Sequence, residues 1–195
     1  QIPFAAITIC PTGSLSPLNE KYSMYASSDS SEIEPPLSNF TDSLETRITN
    51  LKFRNDALKS SDFFTPIITT EGFCFTANLM NFQDLFMDGV QFEAFERLKN
   101  PKIPDSKWLL QEGYGDSIKV LEFPHRVSGS GENGGIKFEI WRQIAEVKIS
   151  SSYNKGFKLA LHLPSEIPQF DRQYYRFPLE KSATLIIRPT MIVSE

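Results

Sequence analysis

Gly156-Phe157-Lys158-Leu159-Ala160-Leu161-His162 is the stretch that decides the fold class. Phe157, Leu159 and Leu161 fall on one side of an extended chain, and Lys158, Ala160 and His162 fall on the other. A period of two marks a strand with one face in a core. Upstream, Ile136, Phe138 and Ile140 alternate with Lys137, Glu139 and Trp141 in the same way. Downstream, Leu185 to Val193 reads as a third strand, interrupted at Pro189, which points to an edge or a bulge. The last third of the chain is therefore β-patterned.

Working toward the N-terminus, Phe4 to Cys10 is apolar or Thr, with Ile7, Thr8 and Ile9 β-branched. It predicts a buried strand that Pro11-Thr12-Gly13 stops. Glu71 to Asn78 is a second apolar strand candidate around Cys74. Leu44, Ile48, Leu51 and Leu58 have the spacing of one helix face, which predicts a helix over 42–58 capped by Thr41 or Asp42. A second helical candidate runs from Leu85 to Leu98, broken near Gly89 and ending before Asn100-Pro101. Ser14 to Asn39 is rich in Ser, Pro and acid and reads as an exposed connection. There is no internal repeat. The expected class is a β-rich α+β unit with a short helical insertion near its N-terminus.

Composition narrows the function. With 40% hydrophobic and 23% charged residues, the 195-residue chain can build a core. The formal net charge of -4 lacks the basic surplus of a nucleic-acid binder. The longest apolar stretch, Ile2 to Cys10, is about half the length of a membrane span. The chain opens at Gln1 on an apolar segment without a signal-peptide pattern, and we read it as an excerpt of something longer. Cys10 and Cys74 are compatible with one disulfide or with two buried thiols. Asn39-Phe40-Thr41 is an N-glycosylation sequon, which points to Asn39 on an exposed loop.

Gly129-Ser130-Gly131-Glu132-Asn133-Gly134 fits G-x-G-x-x-G, yet a strand follows it where a dinucleotide site needs a helix. A kinase glycine loop does lead into a strand, and Ala145-Glu146-Val147-Lys148 resembles the strand that carries the ATP lysine. The residues after Lys148 contain no H-R-D and no D-F-G, so the base and the metal-binding Asp are missing. The motif is expected to be a turn between strands, where glycine supplies a positive φ. The chain also lacks G-x-S-x-G and any short-spaced Cys/His cluster for zinc. His125 and His162 lie far apart in sequence and read as surface or strand-end residues. No enzyme activity, cofactor or metal is expected.

Several segments, in order, resemble the degenerin/epithelial sodium channel family, most closely its insect pickpocket branch. Ile2-Pro3-Phe4-Ala5-Ala6-Ile7-Thr8-Ile9-Cys10 resembles the F-P-A-V-T-I-C segment that follows the first transmembrane helix, with Ala5 in place of Pro. Gly72-Phe73-Cys74-Phe75-Thr76-Ala77-Asn78 resembles G-x-C-[YF]-T-F-N, with Ala77 in place of Phe. Trp108 to Tyr114 and Pro124-His125-Arg126 resemble the loops that follow, and Ser128 to Ile140 the family's glycine turn and strand. Gly156 to Pro168 resembles G-F-K-V-x-[IL]-H-S-P-x-E-x-P, and Ile187 to Ile192 resembles I-x-P-x-x-[IT].

The resemblance implies the first part of an extracellular domain. Residues 1–13 would be the palm strand after the first transmembrane helix, 14–70 a reduced finger or loop insertion, and 71–195 palm and β-ball strands. Thumb, knuckle and both membrane helices would lie elsewhere. It implies a disulfide between Cys10 and Cys74. It implies a subunit of a trimeric, amiloride-sensitive sodium channel at the plasma membrane, with other channel subunits as partners and sodium as the ion conducted by the parent protein. Glu166 would stand where proton-gated relatives carry one of two adjacent acids. Ser165 breaks that pair, which makes His162 the better proton-sensing candidate. A secreted β-rich binding module is the alternative.

Overall fold

The computed structural model describes residues 3–12, 44–85, 106, 108–109, 113–114, 123–126, 129, 131–141 and 156–188. A central strand β1 (Ala6–Thr12) organises them. The others are β2 (Ile48–Phe53), β3 (Asp56–Ala57), β4 (Phe64–Thr69), β5 (Gly72–Ala77), β6 (Ile136–Ile140), β7 (Gly156–His162) and β8 (Tyr175–Pro178). Two single-turn helices, α1 (Ser60–Phe63) and α2 (Phe82–Leu85), join them. The α+β, β-rich class is as expected.

A five-stranded sheet has the order β4-β5-β1-β7-β8, and a three-stranded sheet has the order β3-β2-β6. Every pairing is antiparallel. β1 lies in the middle of the larger sheet and is buried on both faces, which is why its sequence is apolar or Thr without alternation. It pairs with β7 from Ala6↔His162 to Thr12↔Gly156, so the strand runs through Pro11-Thr12 and does not stop before them. β4 carries Pro66, which an edge strand tolerates.

One face of the larger sheet contributes Ile7, Ile9, Phe64, Phe75, Ala77, Phe157 and Leu159 to the main core. The smaller sheet contributes Ile48, Leu51 and Phe53, with Ile136, Phe138 and Ile140 packed against them. Both sheets thus close on one apolar layer. The opposite face of the larger sheet holds a second cluster of Cys10, Ile67, Cys74, Leu79, Ala160 and Phe170.

Two expected elements differ. The helix over 42–58 is a helical turn at 44–47 followed by a strand, β2. Ile48, Leu51 and Phe53 all point inward because the register slips between Thr49 and Lys52. Asn50, at φ 51°, is the extra residue of a bulge there. A bulge converts a spacing of two into three, which imitates a helix. The strand expected at 185–193 is irregular and solvent-facing over its described part, with Ile186 84% exposed. The second helical candidate lies outside the described residues except for Leu85, the last residue of α2.

The glycine motif forms a 3-10 turn, Gly131–Gly134, that runs into β6. Gly131 has φ 71°, the conformation that needs glycine. The turn is tied to the β2–β3 hairpin through Arg54 N–H to Gly135 O at 3.0 Å and Asn55 Nδ2–H to Asn133 Oδ1 at 3.0 Å. Arg54 (φ 53°) and Asn55 (φ 68°) form a two-residue loop with both φ positive, a type I′ hairpin.

Candidate functional site

The second face of the larger sheet carries the polar residues. Register sets Thr8 directly opposite Thr76, and continues to Cys10 opposite Cys74. The two cysteines are bonded across neighbouring strands, with Cα atoms 4.5 Å apart. That separation belongs to a non-hydrogen-bonded antiparallel pair. Thr69 Oγ1 lies 3.1 Å from Cys74 Sγ, and Lys158, opposite Cys10, pairs with Glu71 at 2.6 Å beneath the Tyr174 ring.

Farther along this face Thr8, Thr76 and His162 touch. Thr8 Oγ1 lies 2.8 Å from Thr76 Oγ1 and 2.8 Å from His162 Nε2. His162 Nδ1 lies 2.9 Å from the Leu163 carbonyl oxygen. Both threonines are buried. Burial pushes the His162 pKa down, opposed by the Leu163 and Glu166 backbone and by the Glu166 charge. Glu166 itself is exposed, in a turn closed by its N–H to Leu163 O at 3.0 Å.

The same end of the sheet holds a second polar node. Asn78, at φ 62° just after β5, donates to Phe4 O at 2.6 Å and His125 O at 3.2 Å and accepts from His125 N–H. Phe4 N–H also donates to His125 O at 2.8 Å. One amide thus fastens the entry to β1 onto the 123–126 segment. The His125 ring is stacked on Phe63 at 5.4 Å, with Phe53 and Phe123 around it. Burial, then the Arg54 charge, holds its pKa below the usual histidine range. Met80 N–H to Pro164 O at 2.9 Å links this node to the turn that contains Glu166.

Of the residues expected from sequence, Cys10, Cys74, His162 and Glu166 lie on this face or its end, and Asn39 lies outside the described residues. Thr8, Thr76 and Asn78 were not singled out, although each is a letter of the quoted T-I-C and T-F-N motifs. A threonine in a strand reads as a β-branched filler until its cross-strand partner is known. Among the described residues no group of His, Cys, Asp and Glu could hold a metal ion. Among them, too, no helix is long and apolar enough to cross a membrane.

Two sheets closing on one core with a cross-strand disulfide make an α+β, β-rich fold, consistent with the extracellular domain of the degenerin/epithelial sodium channel family that the chain matches. The family model described as "Amiloride-sensitive sodium channel" matches residues 13–195, and the chain belongs to that family. It is similar to pickpocket protein 28 of Drosophila melanogaster, 26% identical over 129 residues, or 65% of this chain and 21% of that protein. The chain thus spans about a fifth of the length of this curated relative.

Proposed function

We propose that this chain is part of the extracellular gating domain of a trimeric, amiloride-sensitive sodium channel subunit at the plasma membrane. The family match over residues 13–195 carries the reading. Its work is mechanical and not catalytic. A ligand, a proton or a force alters the packing of the sheets, and β1 passes the change toward the pore. The fastening of Phe4 by Asn78 and His125 supports this, because it grips the chain where β1 begins. Other channel subunits complete the assembly.

The test is sodium current from cells expressing the subunit that carries this chain, alone and with other family subunits. A sodium current that amiloride blocks is expected. Release of the protein into the medium, with no such current in any combination, would overturn the reading in favour of a secreted binding module.

A further inference from the structure

We propose that Thr76, Thr8 and His162 form a hydrogen-bond relay across β5, β1 and β7 whose direction is reversed when His162 takes up a proton. Its use in gating rests on the channel reading above; the relay itself does not. The direction follows from donor and acceptor inventory. The Leu163 carbonyl oxygen can only accept, so His162 Nδ1 carries a hydrogen. In the neutral ring Nε2 is then the acceptor, and the hydrogen on the 2.8 Å contact belongs to Thr8. With its proton committed, Thr8 Oγ1 accepts from Thr76. The chain runs Thr76 to Thr8 to His162 to Leu163 O, and no polar hydrogen in it is left over.

A proton from solvent on Nε2 makes that nitrogen a donor. Thr8 must now accept from the ring and turn its own hydrogen to Thr76, whose hydrogen must find another acceptor in the sheet. No covalent bond other than the new N–H changes; two hydroxyls rotate. Thr8 is 0% exposed and Thr76 2%, so water cannot take up the slack cheaply. The reversal therefore reaches β5 two residues before Asn78, which holds the entry to β1.

The surroundings suit a proton-controlled element. From β1 the ring meets the neutral Thr8 hydroxyl, which in turn meets the neutral Thr76 hydroxyl of β5. From the turn after β7 it meets the Leu163 and Glu166 backbone and the Glu166 carboxylate, the charged group among the described residues that acts on it. Lys158, on the same face of β7, is engaged by Glu71.

The chain has 2 histidines, so long-range proton–nitrogen spectra of the histidine-labelled 195-residue chain resolve both rings, and His125→Phe assigns them. At high pH the His162 ring should carry its hydrogen on Nδ1. Thr8→Val takes away the hydroxyl that donates to the neutral ring and accepts from the charged one. The bond to the charged donor is the stronger, so the His162 midpoint should fall by about one pH unit, while Thr8→Ser keeps the wild-type midpoint. A hydrogen on Nε2 at high pH, or a midpoint unmoved in Thr8→Val, would overturn the relay. The wild-type tautomer decides the matter even if the valine variant fails to fold. The spectrum reads no current, so loss of the relay and loss of the channel reading are distinguishable.

Discussion

Gly156 leaves no room for a side chain. A Cβ built there would sit 2.1 Å from the Phe177 carbonyl oxygen, and its φ of 152° is one that L-residues rarely adopt. The neighbour is backbone of β8, which cannot swing aside. Gly156→Ala should cost about 2–4 kcal/mol, read as a lowered urea midpoint with an unchanged slope. The histidines act by charge. Both have folded pKa values below their unfolded ones, so the unfolded chain binds more protons under mild acid. Their contribution is whole above the unfolded value of about 6.5 and is lost as pH falls from there toward the folded values. Stability should therefore drop between about pH 7 and 5. His125→Phe, which keeps an aromatic ring against Phe63, should flatten part of that fall in urea titrations at each pH.

At the scale of elements, β2 shows how a strand can hide. Its inward residues Ile48 and Leu51 are three apart because Asn50 bulges, and nothing in the sequence announces a bulge except an Asn able to adopt positive φ. Asn50→Gly should be nearly neutral, whereas Asn50→Val should cost about 1–2 kcal/mol in thermal or urea unfolding. β1, β5, β6 and β7 were legible because a central strand is apolar throughout and a half-buried strand alternates. β4 was not, since Pro66 speaks against a strand unless its edge position is known. β8 was not, since its side chains are mostly exposed and carry little apolar signal. Leu185 to Ile187 failed the other way: the residue types favour a strand, but the described chain offers them no pairing partner. The disulfide and His162 came from motif resemblance, while the threonines that orient the histidine needed the register.

At the scale of the molecule, the sheets share one core and the second face is held by the Cys10–Cys74 bond. The bond spans 64 positions, for which the chain-entropy model gives about 4 kcal/mol. Cys10→Ala with Cys74→Ala should lower stability by up to about that amount, and a reducing agent should do the same to the wild type but not to the double variant. The bond also makes the stretch between its cysteines a covalent ring with two tails. A protease cut anywhere between Cys10 and Cys74 opens the ring without dividing the molecule. On a denaturing gel the cut protein should migrate as one band under oxidising conditions and as two fragments once the bond is reduced. Lengthening the ring is also cheap: doubling the number of residues in a flexible segment of it adds only about 0.6 kcal/mol of closure entropy. The register of β1 against β5 thus does not depend on how much chain is spliced into the ring.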